Sequence, residues 1–166
     1  MRTASKPLTV LMADDDPEDC LLTLEAWDEC GVGNSLQFVQ DGTELMDYLY
    51  HRGTYTDPAT SPRPDLIILD LKMPKKDGHT VLKEIKADPQ LKGIPIVVFT
   101  TSQSDEDTSR TFNFGANAAL TKPDSIRGYR AVMQALNNYW SSIAILPHKR
   151  MGEGLTPFLN SGTAHC

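Results

Sequence analysis

Five short, continuous runs of apolar residues, rich in β-branched side chains, recur along the first 120 residues of this chain. They cover residues 8–12, 36–39, 66–69, 94–99 and 118–120. Continuous runs are typical of strands that are buried on both faces of a parallel sheet, whereas half-exposed strands alternate. Segments with helical spacing of apolar residues lie between the runs. This alternation predicts an α/β fold with a doubly wound, five-stranded parallel sheet and five helices.

The helix boundaries are indicated by capping residues. Asp16 as N-cap and Pro17 as first residue predict the start of the first helix, and Gly31 predicts its end. Its expected apolar positions are Leu21, Leu24 and Trp27. The remaining helices are predicted at residues 43–50, 79–87, 104–114 and from 125 through 140. A surface loop is predicted at residues 52–64, which contain one glycine and three prolines.

The composition excludes several function classes. With 166 residues and 40% hydrophobic content, the chain suits one compact domain with a sizeable core. Its net charge of −6 argues against non-specific nucleic-acid binding. No run approaches the roughly 20 apolar residues of a membrane span, and the N-terminus has no apolar signal core. Cys20, Cys30 and Cys166 have neither metal-ligand nor disulfide spacing. We therefore expect a cytoplasmic protein with free thiols.

Polar side chains follow four of the predicted strands. Asp14-Asp15-Asp16 comes after the first strand, Asp70 after the third, Thr100 at the end of the fourth and Lys122 after the fifth. Because ligands of open α/β sheets bind at the carboxyl ends of the strands, we expect these groups to converge at one edge. Each feature alone also has a purely structural explanation, as a helix cap or a strand residue. The combination is much more specific than any single one.

A cluster of carboxylates needs a cation. Two carboxylates ~5 Å apart repel by roughly 3 kcal/mol at an effective dielectric near 20. Mg²⁺ prefers oxygen ligands and resolves this repulsion. A carboxylate nucleophile, a metal and a lysine are the parts that phosphoryl transfer requires. No histidine stands where it would activate water, so an acyl phosphate on Asp70 is expected to persist.

Several motifs resemble the receiver domain of two-component response regulators. The resemblance covers about residues 8–140 and implies a flavodoxin-like receiver fold with strand order 2-1-3-4-5. The motifs are Asp14-Asp15, Asp70 with Met73-Pro74 and Asp77-Gly78, residues 95–100, Gly115-Ala116-Asn117 and Thr121-Lys122-Pro123.

The resemblance assigns roles to individual residues. It implies that Asp70 is the phosphoacceptor, Lys122 the counter-charge of the phosphoryl group and Thr100 the switch hydroxyl. It also implies a cis Lys122–Pro123 bond. The implied ligands of Mg²⁺ are Asp14, Asp15, Asp70 and the backbone carbonyl of Lys72.

A narrower resemblance concerns the pathway. The loop 52–64, the segment 95–107 and Tyr139-Trp140 are similar to the single-domain regulators that serve bacterial and cyanobacterial phytochromes. This implies phosphorylation by a phytochrome histidine kinase. Because the residues after Trp140 are too few for a DNA-binding module, we expect output through protein contacts or a downstream histidine phosphotransfer protein, without turnover catalysis. The chain departs from the family at Ala119, where an aromatic switch residue is normal. Either Phe99, Phe112 or Phe114 replaces it, or the output is read differently.

The end of the chain is expected to mediate association. We expect a lead at residues 1–7, a receiver domain at 8–140 and a C-terminal extension at 141–166 without an output domain. The last helix carries an apolar stripe, which predicts either a core-facing helix with a loosely packed end or a homodimer interface. The stripe comprises Ile126, Tyr129, Met133, Leu136, Trp140 and Ile143, with Ile145 and Leu146 beyond. In a dimer, the extension would act as an arm anchored by Leu155, Phe158 and Leu159.

Three other functions are alternatives to a phosphorylated receiver. A receiver-like binding module that no longer accepts phosphate would keep the fold and differ in acetyl-phosphate labelling. An aspartyl phosphatase of the haloacid dehalogenase type needs a second aspartate two residues after the nucleophile, where this chain has Lys72. A flavodoxin-type flavin module needs a phosphate loop after the first strand, and three aspartates there would repel phosphate.

Overall fold

The computed structural model describes residues 7–30, 33–102 and 104–143. The strands are β1 (Thr9–Ala13), β2 (Ser35–Val39), β3 (Leu66–Leu69), β4 (Ile96–Thr100) and β5 (Ala118–Thr121). The helices are α1 (Pro17–Cys30), α2 (Gly42–Leu49), α3 (Gly78–Ala87), α4 (Asp105–Asn113) and α5 (Ile126–Asn138). A 3₁₀ turn spans Gly53–Tyr55, and a π-helical turn, Tyr139–Ile143, follows α5.

All neighbouring strands are parallel, and their order in the sheet is β2-β1-β3-β4-β5. The predicted fold class and strand order are therefore confirmed. The four residues of β3 are all buried, as expected for a central strand covered on both faces. The strand ends that precede Asp14 and Asp70 lie side by side, because Ala13 is in register with Leu69.

Two cores cover the two faces of the sheet. Successive strand residues point to opposite faces, so Ile67 and Leu69 pack with α2 and α3 while Ile68 packs with α1 and α5. Phe99 lies in the same core as Ile68, and Val98 lies in the other. In the described part of the chain, each face of the sheet therefore has its own hydrophobic cluster.

The buried face of α1 differs from the prediction. Leu21 and Leu24 are 59% and 37% exposed, and the buried residues are Thr23, Ala26 and Trp27. The indole N–H of Trp27 donates to the carbonyl oxygen of Asn34 at 3.0 Å, which fixes the helix at this rotation. Only Trp27 of the three predicted apolar positions faces the core. The spacing of the leucines was a real helical pattern, but it lies on the outer side.

The apolar stripe of the last helix is mostly internal. Tyr129, Met133 and Leu136 are buried in the core that α5 shares with α1, so the core-facing prediction is right for this part. Tyr139, beyond the end of α5, is 49% exposed. The side chain of Ile143 and the predicted residues Ile145, Leu146, Leu155, Phe158 and Leu159 lie outside the described part of the structure, as does Cys166.

The segment 52–64 forms the predicted surface loop, which begins with the 3₁₀ turn. It is tied to the body of the protein at its far end. The Tyr48 hydroxyl donates to the Pro62 carbonyl oxygen at 2.9 Å, and the His51 Nε2 atom contacts the Ser61 carbonyl oxygen at the same distance. None of the helices in the described ranges is long and apolar enough to cross a membrane.

Candidate functional site

The carboxyl ends of the strands bring the predicted site residues together. Asp14 and Asp70 are buried beside each other after β1 and β3, and the Lys122 side chain reaches them from the end of β5. Lys122 Nζ lies 2.7 Å from Asp14 Oδ2 and 3.5 Å from Asp70 Oδ2. Thr100 is buried at the end of β4, and its carbonyl oxygen accepts from the Lys122 backbone N–H at 2.9 Å.

The backbone around Asp70 is held closely. Its N–H donates to the Ala13 carbonyl oxygen at 3.0 Å, and the Gly78 N–H donates to the Leu71 carbonyl oxygen at 2.8 Å. A Cβ atom at Gly78 would lie 2.4 Å from the Asp70 carbonyl oxygen and 2.6 Å from Leu71 Cα. Only glycine therefore lets the first turn of α3 pack directly on the end of β3. The Asp77 carboxylate caps that turn by accepting from the Thr80 N–H at 2.9 Å.

Three carboxylates at this edge could hold a metal ion. One carboxylate oxygen from each of Asp14, Asp15 and Asp70 lies within 4.8 Å of the others. Asp14 Oδ2 is buried and forms an ion pair with Lys122 Nζ at 2.7 Å. Lys122 is shared by several carboxylates, so its single positive charge does not neutralise all of them. An oxygen-rich cluster with excess negative charge suits a hard divalent cation.

Burial sets the charges of the site. The pKa of Asp70 is raised to about 6, mainly by burial. The charge of Asp14 adds to this rise, and the charge of nearby Lys122 opposes it. The Lys72 backbone N–H also donates to the Asp70 carboxylate. Burial likewise raises the pKa of Asp14. Burial opposes the charge of Lys122, but contacts with carboxylates outweigh it and raise the lysine pKa. Asp70 is therefore mostly ionised at neutral pH. The carboxylates around Lys122 outnumber its single positive charge.

Asp19 is a site residue that the sequence analysis missed. Lys122 Nζ donates to Asp19 Oδ2 at 2.7 Å, as close as its contact with Asp14. The Tyr129 hydroxyl donates to Asp19 Oδ1 at 3.2 Å. Asp19 lies in the first turn of α1, which begins at the same sheet edge. That position was the available signal, because it places an acid near the predicted cluster.

Phe112 is the best placed of the three phenylalanines that could replace the aromatic switch residue missing at Ala119. A cavity of about 350 Å³ between β4, α4 and β5 is lined by Thr100, Ala119 and Phe112, among others. Phe99 packs in the core on the other face of the sheet, and Phe114 packs edge-on against His79 with a centroid distance of 5.8 Å. Of the three candidates, Phe112 alone lines this cavity, and it is 49% exposed.

The expected cis Lys122–Pro123 bond is wrong for this structure. No cis peptide bond occurs within residues 7–30, 33–102 and 104–143. The trans form is favoured by about 0.5–1 kcal/mol even before proline. Lys122 makes its contacts with Asp14, Asp19 and Asp70 from the trans form.

Comparisons with known proteins agree with this geometry. The sequence profile of the response regulator receiver domain matches residues 10–134. The response regulator Rcp1 of Synechocystis sp. is 35% identical over 144 residues, which cover 87% of this chain and 96% of that protein. A probable methanogenesis regulatory protein, FilR2 of Methanothrix harundinacea, is 33% identical over 138 residues, which cover 82% of this chain and 86% of that protein.

Two solved structures are similar over most of the chain. The phosphorylated cyanobacterial phytochrome response regulator RcpA matches with a TM-score of 0.79 and 37% identity, covering 86% of this chain and 100% of that one. RPA3017, a response regulator in red light signalling of R. palustris, matches with a TM-score of 0.81 and 32% identity, covering 87% of this chain and 100% of that one.

Proposed function

The chain belongs to the response regulator receiver domain family, and on this premise we propose that it accepts a phosphoryl group from a histidine kinase onto Asp70. One observation carries the assignment of this residue. Asp70 is a buried, mostly ionised carboxylate that lies 3.5 Å from Lys122 and shares a three-carboxylate cluster with Asp14 and Asp15.

The residues of the site account for the chemistry. An Asp70 carboxylate oxygen attacks the phosphorus, and the new O–P bond forms as the bond to the kinase histidine nitrogen breaks. The electron pair of the broken bond returns to the imidazole. Lys122 balances the negative charge of the phosphoryl oxygens, and the Thr100 hydroxyl donates to one of them.

The same edge has the ligands for Mg²⁺. We propose that Asp14, Asp15, Asp70 and the Lys72 carbonyl would hold the ion. When bound, the ion neutralises charge that develops on the phosphoryl oxygens. The fit rests on the three carboxylates, one oxygen of each lying within 4.8 Å of the others. A Mn²⁺-bound form of the related regulator Rcp1 supports a divalent cation here.

The acyl phosphate would persist long enough to signal. The two histidines in the described part of the chain are engaged away from Asp70. His51 contacts the Ser61 carbonyl oxygen, and His79 Nε2 contacts the Thr111 hydroxyl at 3.0 Å. Because neither of these two histidines is placed to activate water at Asp70, we expect slow hydrolysis compared with that in a phosphatase. We therefore propose a signalling protein and not a turnover enzyme, and we propose the cytoplasm as its location.

The partners follow from the relatives. RcpA is named as a phytochrome response regulator, and RPA3017 is placed in red light signalling. We propose a phytochrome histidine kinase as the phosphodonor. The output would be contacts with other proteins, including a second copy of this chain, or transfer to a histidine phosphotransfer protein. Nucleic acid and membrane are not among the proposed partners, given the net charge of −6.

Labelling with a small phosphodonor tests the assignment. The full chain, incubated with acetyl phosphate and Mg²⁺, should gain one phosphoryl group by intact mass, and Asp70→Asn should gain none. Asp15→Asn should label more slowly and need more Mg²⁺, because it removes a ligand charge. Asp57→Asn, in the exposed loop, is the matched control and should label like the wild type.

Two results would contradict the proposal. Equal labelling of the wild type and Asp70→Asn would exclude Asp70 as the acceptor. No labelling of the wild type, either by acetyl phosphate or by a phosphorylated phytochrome kinase, would favour the phosphorylation-independent binding module.

A further inference from the structure

Lys122 is bound more closely by Asp19 than by Asp70. Its Nζ atom lies 2.7 Å from both Asp14 Oδ2 and Asp19 Oδ2, but 3.5 Å from Asp70 Oδ2. The lysine is buried, so solvent does little to weaken these ion pairs. Asp19 is not part of the three-carboxylate cluster, but it holds the lysine through a hydrogen bond of 2.7 Å.

Asp19 is itself connected to α5. The hydroxyl of Tyr129 donates to Asp19 Oδ1 at 3.2 Å, while the other carboxylate oxygen binds Lys122. The Tyr129 ring is buried and packs edge-on against Phe99, with ring centroids 5.7 Å apart. Phe99 directly precedes Thr100. A continuous path of contacts therefore runs from Lys122 through Asp19 and Tyr129 into the core between α1 and α5.

We propose that Asp19 is a positioning residue that holds Lys122 away from Asp70, and that phosphorylation transfers the lysine from Asp19 to the phosphoryl group, with Tyr129 reporting the change to α5. The inference rests on the proposed phosphorylation of Asp70. A phosphoryl group carries about −1.5 to −2 charges and three strong acceptor oxygens, and therefore outcompetes a single carboxylate for the ammonium. Asp19, whose side chain is only 21% exposed, then has the Tyr129 hydroxyl as its remaining donor.

The contacts from Lys122 through Asp19 to Tyr129 lead to the face of the sheet that α1 and α5 cover. An aromatic switch residue at position 119 of β5 would act on the opposite face. Ala119 has no rotamer that could carry a signal, and its neighbours belong to the core of α2 and α3. Asp19 and Tyr129 act on the other core, between α1 and α5. A separate ion pair, Arg130 Nε to Glu29 Oε1 at 2.6 Å, also joins these helices, so their packing does not depend on Asp19 alone.

Fluorine NMR of the full chain labelled with 3-fluorotyrosine tests the inference. Signals are assigned by single Tyr→Phe substitutions, and spectra are recorded before and after treatment with acetyl phosphate and Mg²⁺. The Tyr129 signal should shift by several linewidths on phosphorylation. Tyr48, which is buried on the opposite face and bonds to the Pro62 carbonyl, is the internal control and should not move.

Variants separate positioning from a merely structural role. In Asp19→Asn, which keeps the shape and removes the charge, the shift of Tyr129 on phosphorylation should fall by at least half. Glu18→Gln removes one negative charge from an exposed neighbouring position. In this control, the Tyr129 signal should shift on phosphorylation as it does in the wild type. Intact mass measured on the same samples reports whether Asp70 is phosphorylated.

The outcomes distinguish this inference from the proposed function. A phosphorylated wild type whose Tyr129 signal stays in place would overturn the inference and leave phosphorylation of Asp70 intact. An equal shift in phosphorylated Asp19→Asn would do the same. The first result is measured on the wild type, so it does not depend on whether Asp19→Asn folds. A wild type that gains no phosphoryl group would overturn the proposed function and this inference with it.

Discussion

Asp70 is ionised at neutral pH although the protein buries it. The folded chain raises its pKa to about 6 because burial disfavours the charge more than Lys122 favours it. An aspartate in an unfolded chain has a pKa near 3.9. The folded protein therefore stores an unfavourable charge at the residue that the proposed reaction uses as a nucleophile.

This charge has a measurable effect on stability. Between about pH 4 and pH 6 the folded state binds the Asp70 proton and the unfolded state does not, so stability contributed by Asp70 falls as the pH rises through this window. In metal-free buffer, Asp70→Asn should be more stable than the wild type at pH 7 by up to about 3 kcal/mol, from two pKa units. The difference should nearly vanish at pH 4.

Urea denaturation at both pH values measures the difference in the free energy of unfolding. Asp57→Asn, in an exposed loop, is the control and should show no such dependence. A constant difference between the wild type and Asp70→Asn at pH 4 and pH 7 would contradict the raised pKa. Adding Mg²⁺ at pH 7 should stabilise the wild type and reduce the difference.

At the scale of elements, the junction of β4 and α4 is held by hydrogen bonds to side-chain hydroxyls. The Thr100 hydroxyl accepts from the Ser102 N–H at 3.2 Å, and Ser104 caps α4 by accepting from the Asp107 N–H, also at 3.2 Å. The cavity behind Ala119 leaves space that Phe112 lines. The cavity is partly open to solvent and Phe112 is 49% exposed, so we expect phosphorylation to turn the Phe112 ring into it.

Thr100→Ala tests the role of the hydroxyl in this element. The variant should still accept a phosphoryl group on Asp70, but it should show a smaller change in hydrogen exchange over residues 101–113 on phosphorylation. The reason is that the hydroxyl is the group that a phosphoryl oxygen would attract. Thr56→Ala, at an exposed position of the loop 52–64, is the control. Identical exchange changes in Thr100→Ala and the wild type would count against a switch at Thr100.

At the scale of the whole molecule, the edge of the sheet beside α5 remains uncovered by the described residues. An apolar groove of about 500 Å³ runs along β5 and α5 and is lined by Leu120, Leu136, Tyr139 and Trp140, among others. β5 is an edge strand of the sheet. Apolar surface at an edge strand favours association, which agrees with the proposed homodimer.

The oligomeric state tests this surface. Light scattering of the full chain at tens of micromolar should give the mass of a dimer, and Tyr139→Glu should weaken dimerisation at least tenfold by placing a charge in the groove. Leu21→Glu, which changes an apolar residue on α1 that is 59% exposed against 49% for Tyr139, should leave the dimer intact. Both variants should still accept a phosphoryl group. A monomeric wild type, with or without phosphate, would exclude the dimer.

Local pattern was enough to predict the fold and the meeting of Asp14, Asp70, Thr100 and Lys122. Continuous apolar runs specify buried parallel strands, and the carboxyl ends of such strands meet at one edge, so no knowledge of side-chain packing was needed. The family and the strand order are confirmed.

Tertiary structure alone decided the features that depend on how elements turn against each other. The rotation of α1 placed Leu21 and Leu24 outside and brought Asp19 to Lys122, because the contact of Trp27 with Asn34 fixes that rotation. Helical spacing gives the angle between residues of one helix, but not the angle of the helix to the sheet. The same holds for the cavity behind Ala119, since its size depends on side chains from three separate elements.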